Sequence, residues 1–138
     1  MILTGSNVFF SCYDDFQSKD KDYILLEDNP SDYQYVKQTS STGFCLFQWK
    51  RLTPQEYIDY ALNHGLAMQI VKFLTPEFVK EIGFTISDLK QLSPLCENLD
   101  VKHQYVKIIF EAYISNNDFI LTDDQRLKAY NFYKETRK

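Results

Sequence analysis

Thr4-Gly5-Ser6 and, a helix-sized segment later, Lys19-Asp20-Lys21-Asp22-Tyr23-Ile24-Leu25-Leu26 are the stretches whose reading decides the fold. The first closes the short apolar run from Met1 to Thr4, a strand candidate, with a Gly-Ser turn. The second opens with two carboxylates one residue apart and runs into Tyr23-Ile24-Leu25-Leu26, a continuous apolar segment stopped by Glu27-Asp28-Asn29-Pro30. Such a run reads as a buried central strand. Strand side chains alternate between faces, so Asp20 and Asp22 point the same way and can share a cation. Lys19 and Lys21 point to the opposite side and read as solvated.

Working outward, Asn7 to Phe16 carries Val8, Phe9, Cys12 and Phe16 on a usable helical face. Between Asp32 and Gln38 the pattern suits a short helix or an edge strand, followed by the loop Thr39-Ser40-Ser41-Thr42-Gly43. Phe44-Cys45-Leu46-Phe47-Gln48-Trp49 is rich in strand-forming aromatics and reads as the next strand. There the β character ends. Thr53-Pro54-Gln55-Glu56 offers an N-cap, a proline in the first turn and a capping-box glutamate, with Gly65 where a C-terminal cap would fall. Leu66, Ala67, Ile70, Val71 and Leu74 recur at helical spacing, Thr75-Pro76 starts a turn or helix that Gly83 closes, and a short helix begins near Ser87. Tyr105, Ile108, Ile109, Ala112 and Tyr113 form an amphipathic face that Asn116-Asn117 breaks. Thr122-Asp123-Asp124-Gln125 caps a terminal helix expected to pair with it. The expectation is an α+β chain with a mixed sheet at the N-terminus packed with a C-terminal helical half. Residues 1–52 form the α/β part and 53–138 the helical part of one domain.

Composition agrees, since 138 residues with 44% hydrophobic and 16% aromatic content can bury one sizeable core. A net charge of −4 gives no general pull toward nucleic acid or an anionic membrane. Cys12, Cys45 and Cys96 are odd in number, widely spaced and without clustered histidines, so neither a disulfide framework nor a zinc site is suggested. Cys12 and Cys45 sit among apolar neighbours and read as core thiols. No secretory leader or bilayer-length apolar run is evident, and a soluble, cytoplasmic protein is the expectation.

The order strand, Gly-Ser, helix, strand beginning Asp-x-Asp resembles the nucleotidyltransferase superfamily that includes DNA polymerase beta, the poly(A) and CCA-adding enzymes and small nucleotidyltransferase-type antitoxins. The matching residues are Gly5, Ser6, Asp20 and Asp22. Lys72-Phe73-Leu74-Thr75-Pro76-Glu77-Phe78 also looks like a segment of short nucleotidyltransferase-like proteins of phages and bacteria. The resemblance implies a minimal nucleotidyltransferase-like fold and transfer of a nucleoside monophosphate from a nucleoside triphosphate to an acceptor it does not identify. It also implies Mg²⁺ or Mn²⁺ held by Asp20 and Asp22, with Gly5 and Ser6 holding the nucleotide.

The chemistry explains those residue types. In-line displacement at phosphorus handles several negative charges at once, and a hard divalent cation beside them is the usual means of neutralising them. Mg²⁺ takes oxygen ligands, often one or two carboxylates completed by substrate phosphates and water. A glycine lets the backbone approach a phosphate closely, and the serine hydroxyl and the amides opening the next helix can donate to it. Gly-Ser alone is a common turn and Asp-x-Asp a common strand opening, so only their combination in this order carries weight.

The family pattern is not complete. Active members carry a third carboxylate on a later strand of the sheet, and Phe44-Cys45-Leu46-Phe47-Gln48-Trp49-Lys50 contains none. A non-catalytic nucleotide- or protein-binding regulatory module on the same fold therefore stands beside the enzyme reading. His64 and His103 suit helix ends, no serine or cysteine lies in a nucleophile motif, and Arg126, Lys128, Lys134, Arg137 and Lys138 make a local basic stretch at the C-terminus.

Overall fold

The computed structural model describes residues 2–16, 21–27, 36–39, 44–64 and 74–137. Four strands form one mixed sheet: β1 (Ile2–Thr4), β2 (Lys21–Glu27), β3 (Val36–Thr39) and β4 (Phe44–Lys50), in the spatial order β1-β2-β4-β3. β2 lies inside the sheet, as its apolar run requires, antiparallel to β1 and parallel to β4. β3 is the edge strand, antiparallel to β4. Registers pair Ile2 with Ile24 and Thr4 with Asp22 across β1–β2, and Asp22 with Cys45 and Leu26 with Trp49 across β2–β4.

One sheet face is the buried one. Ile2, Thr4, Ile24 and Trp49 are buried on it, and Asp22 shares it at the end where β1 runs into Gly5. Lys21, one residue earlier than Asp22, is exposed, as alternation demands.

Helix punctuation in the second half follows the expected chemistry. α1 (Ser6–Phe10) follows the Gly5 turn, and α2 (Pro54–His64) begins at a capping box. In that box the Glu56 amide donates to Thr53 Oγ1 at 3.3 Å and the Thr53 amide donates to Glu56 Oε1 at 3.1 Å. α3 (Pro76–Ile82) ends on Gly83 in the left-handed region at φ 92°, where the Gly83 amide donates to the Val79 carbonyl at 2.8 Å. α4 (Ile86–Leu92) is capped by Thr85 with Asp88 and continues into a 3₁₀ segment, Ser93–Asn98. α5 (Tyr105–Asn116) stops at Asn117, whose φ of 52° is left-handed, and α6 (Asp123–Glu135) starts at the Thr122–Gln125 capping box. α5 and α6 pair, as expected. Gly65 and the run from Leu66 to Phe73 lie outside the described residues.

α1 is shorter than the expected span to Phe16. Beyond Phe10 the chain bends through successive turns in which Tyr13 donates its amide to Phe10 and Phe16 donates to Tyr13. The aromatic side chains explain the bend. Phe10 is fully buried, and its ring lies 5.1 Å from those of Tyr130 and Tyr133, 5.5 Å from Tyr105 and 6.0 Å from Phe16. A continued helix would carry Phe16 away from Phe10. Burying each ring contributes roughly 1.5–3 kcal/mol, more than the propensity gained by another helical turn.

A second aromatic group joins the sheet to the helices through Trp49, Tyr57, Phe78 and Phe84, with centroid separations of 5.8–6.2 Å. The Tyr57 hydroxyl also donates to the Lys50 carbonyl, tying α2 to the end of β4. Ile2, Ile24 and Trp49 belong to the same apolar cluster as Ile109, Tyr113 and Tyr133, so sheet and helical half share one core.

Candidate functional site

Gly5 is where sequence and structure meet most closely. Its backbone adopts φ 75° and ψ −161°, a region open in practice only to glycine. A Cβ at this position would stand 2.9 Å from Asp22 Oδ2 and 3.7 Å from the Asp22 Cβ and Cγ. Two independent constraints thus exclude a side chain at position 5: the dihedral angles and the carboxylate packed over the turn. Register supplies the cause, because Thr4 pairs with Asp22 across the antiparallel β1–β2 ladder.

The surroundings of the turn are unusually polar for a core. Among the described residues the buried polar side chains are Thr4, Asn7 and Thr75, and two of these bracket Gly5-Ser6. Polar groups in such a position are costly unless engaged, and neither Thr4 nor Asn7 is free of partners. Ser6 is half-buried and opens α1. With five residues, α1 is too short to count as an anion-binding helix in its own right.

The structure therefore brings Gly5, Ser6 and Asp22 together. Asp20 lies outside the described residues. No cluster of three or more His, Cys, Asp or Glu capable of holding a metal occurs among the described residues. On β4 the residue registered beside Asp22 is Cys45, and the sequence from Phe44 to Lys50 carries no carboxylate.

α6 ties down the end of α1 and the turns that follow it. Arg126 Nη1 on α6 donates to the Phe9 carbonyl at 3.0 Å, and the Tyr130 hydroxyl donates to Asp15 Oδ1 at 2.7 Å. Tyr13 stacks on Tyr130 with centroids 4.3 Å apart and planes within 2°, and Lys134 Nζ stands 3.6 Å from Asp15 Oδ2. The Tyr130 hydrogen bond holds the Asp15 carboxyl below its ordinary range. Burial, reinforced by that bond, pushes the Tyr130 phenol up to about 12. Tyr105, packed on Phe10, is raised chiefly by its burial; Arg137 opposes the shift, while Tyr133 and Asp22 add to it.

The C-terminal basic stretch resolves into separate roles, since Arg126 and Lys134 are structural ties and Arg137 lies over the Tyr133 ring at 3.6 Å. Cys12 corrects an expectation: it is exposed, because the early end of α1 turns it outward. There it lines a groove of about 550 Å³ with Val8, Phe9, Tyr13, Asp123, Asp124, Arg126 and Leu127, a recess that excludes Gly5, Ser6 and Asp22. Among the described residues the buried thiol is Cys96, pushed up to about 12 by burial. Sequence reading placed Thr4 at the end of β1 and Tyr105 on the apolar face of α5, but it did not mark the side chains of Thr4 and Asn7 as buried polar groups. Both are polar residues beside a Gly-Ser turn, which is the one signal that would have marked them.

No helix among the described residues is long and apolar enough to cross a membrane. Compared with protein-family models, curated proteins and solved structures, the chain matches none.

Proposed function

We propose that this chain is a nucleotidyltransferase that uses Mg²⁺ or Mn²⁺ to transfer a nucleoside monophosphate from a nucleoside triphosphate to an acceptor. The observation that carries the reading is the packing of the Asp22 carboxylate over Gly5, where a Cβ would come within 2.9 Å of Oδ2. A carboxylate against a side-chain-free turn is what a metal–triphosphate needs: an anionic ligand for the cation and bare backbone for the phosphate. Asp22 would hold the metal, with Asp20, two residues earlier in the sequence, as the second carboxylate, and the bound cation would supply charge neutralisation at the phosphates. Gly5 admits the phosphate tail and Ser6 donates its hydroxyl to it. Orientation of the tail is the contribution these residues make to an in-line displacement.

A second reading is favoured by one observation, the register of Cys45 beside Asp22 on β4. With two carboxylates rather than three, the site suits a regulatory module that binds a nucleotide or a protein without turning over. The enzyme reading and the nucleotide-binding form of the module share nucleotide binding and differ in turnover.

Thermal shift across a panel of nucleoside triphosphates, each with Mg²⁺, Mn²⁺ or chelator, tests the shared part, because a ligand that prefers the native state raises its midpoint. The enzyme reading requires a metal-dependent upward shift that Asp20→Asn and Asp22→Asn both abolish, together with release of pyrophosphate. Binding that ignores chelator and both substitutions would replace it with the module reading, and no shift with any nucleotide would remove the enzyme reading and leave the module reading only in its protein-binding form.

A further inference from the structure

We propose that the groove between α1 and the start of α6 docks a basic polypeptide segment, seating a Lys or Arg side chain against Asp123, Asp124 and Tyr13 and a neighbouring apolar side chain against Leu127 and Val8. At about 550 Å³ the groove falls within the range of about 300–1,000 Å³ typical of ligand-sized clefts. Its apolar part is Leu127, 45% exposed, together with half-buried Val8 and Tyr13 and the buried Phe9. Covering an exposed leucine beside such a surface removes apolar area from water.

Charge selects the occupant. Asp123 and Asp124 are both exposed, and neither is in an ion pair among the described residues. Unpaired carboxylates occur elsewhere on the surface, but these two share one recess with an exposed leucine and an aromatic ring. Arg126, the cation among the lining residues, is half-buried and its Nη1 donates to the Phe9 carbonyl at 3.0 Å, so the more exposed charge of the groove is negative. The Tyr13 ring stacks on Tyr130 at 4.3 Å through one face, and no other ring contact is made by it among the described residues. Carboxylate, aromatic ring and apolar wall are together what a Lys or Arg side chain uses: its charged head meets the acid and the ring while its methylene stem lies along apolar surface. A nucleic acid would bring phosphates toward two carboxylates on a chain of net charge −4, which disfavours it.

Val8 ties the groove to the Gly5 turn, since its amide donates to the Gly5 carbonyl at 3.1 Å. A docked segment thus lies one turn of α1 from Gly5. Docking requires neither nucleotide nor turnover, so its test is separate from that of the nucleotide readings above.

The probe is an array of synthetic peptides in which Lys or Arg stands near Leu, Ile or Phe, with counterparts carrying Glu for the base or Ala for the apolar residue, and a single-stranded oligonucleotide alongside. Cys12 is the reporter, because it is exposed and lines the groove. Its labelling by a thiol reagent is followed by mass spectrometry. Basic–apolar peptides should slow Cys12 labelling and their counterparts should not. Asp123→Asn combined with Asp124→Asn should weaken the protecting peptides about 3- to 10-fold, and Leu127→Gln by a similar factor. Glu77→Gln combined with Asp100→Asn removes the same charge from exposed positions outside the groove and should bind like wild type. Far-ultraviolet circular dichroism checks that every variant is folded, and the exposed Leu127 provides a test independent of the α6 start. The proposal is overturned if no basic peptide protects Cys12, or if the acidic peptides or the oligonucleotide protect it equally. It is also overturned if the Glu77 and Asp100 pair weakens binding as much as the Asp123 and Asp124 pair, since net charge alone would then account for it.

Discussion

Replacing Gly5 by alanine brings two separable costs to bear on one residue. The backbone at φ 75° and ψ −161° lies where a Cβ is strained by on the order of 1–3 kcal/mol. The new methyl would also meet Asp22 Oδ2 at 2.9 Å, forcing the carboxylate aside by several tenths of an ångström. Because that oxygen ends a rotatable side chain, its displacement costs less stability than the backbone strain but moves the candidate metal ligand. Gly83 is the internal control, with φ 92° and nothing within 4 Å of its would-be Cβ. Gly83→Ala should therefore show backbone strain alone. In urea denaturation, with slopes of about 1–3 kcal/mol per molar, both variants should lose on the order of 1 M in midpoint. Combining Gly5→Ala with Asp22→Ala should recover part of the Gly5→Ala loss, giving a coupling of about 0.5 kcal/mol or more, whereas Gly83→Ala should add independently. Gly5→Ala as stable as wild type, or additive with Asp22→Ala, would refute the close approach of turn and carboxylate.

Tyr130→Phe removes the donor that holds the Asp15 carboxyl below its ordinary range. Because the folded-state value is depressed, the stabilisation is present above the unfolded value and is lost as pH falls through the folded one. The stability gap between wild type and Tyr130→Phe should thus persist at neutral pH and close in the acid range, with the Asp15 carboxyl moving up in the variant by NMR titration. An unchanged Asp15 titration would remove the hydrogen bond from the account. Cysteine labelling gives a further check. Exposed Cys12 should react with a thiol reagent in the native protein, whereas buried Cys96, its thiol pushed up to about 12, should react only on unfolding. Mass spectrometry of the labelled peptides distinguishes them, and rapid native labelling of Cys96 would contradict the packed core around α4 and α5.

How much was legible in the sequence varied with the range of the interaction involved. Thr53, Thr75 and Thr122 announced three helix starts, and Gly83 and Asn117 two helix ends, because caps are satisfied within a few residues. β1, β2 and β4 followed from apolar runs, whereas the stretch from Asp32 to Gln38 suited either a short helix or an edge strand with Thr39 in a loop, and the structure has an edge strand over Val36–Thr39. Thr85 with Asp88 is an equally local signal that a start near Ser87 overlooked. The early end of α1 was not legible, because it depends on Phe10 and Phe16 meeting Tyr130 and Tyr133 more than a hundred residues away. The same bend turned Cys12 from an expected core thiol into an exposed one. For the site, residue types marked Gly5 and Asp22, but their approach depends on the Thr4–Asp22 register. The placement of Cys45 beside Asp22 was likewise hidden, since it requires β4 to insert between β2 and β3. Arg137 read as one charge in a basic stretch, and only its stacking on Tyr133 sets it apart.

The most direct measurement is a crystal structure with Mg²⁺ and a non-hydrolysable nucleoside triphosphate. The account predicts a metal bound by Asp22 and Asp20 at about 2.0–2.1 Å, with the phosphates lying over Gly5 within reach of Ser6. A nucleotide bound elsewhere, with the Asp22 carboxylate still packed on Gly5 and no metal beside it, would contradict the account.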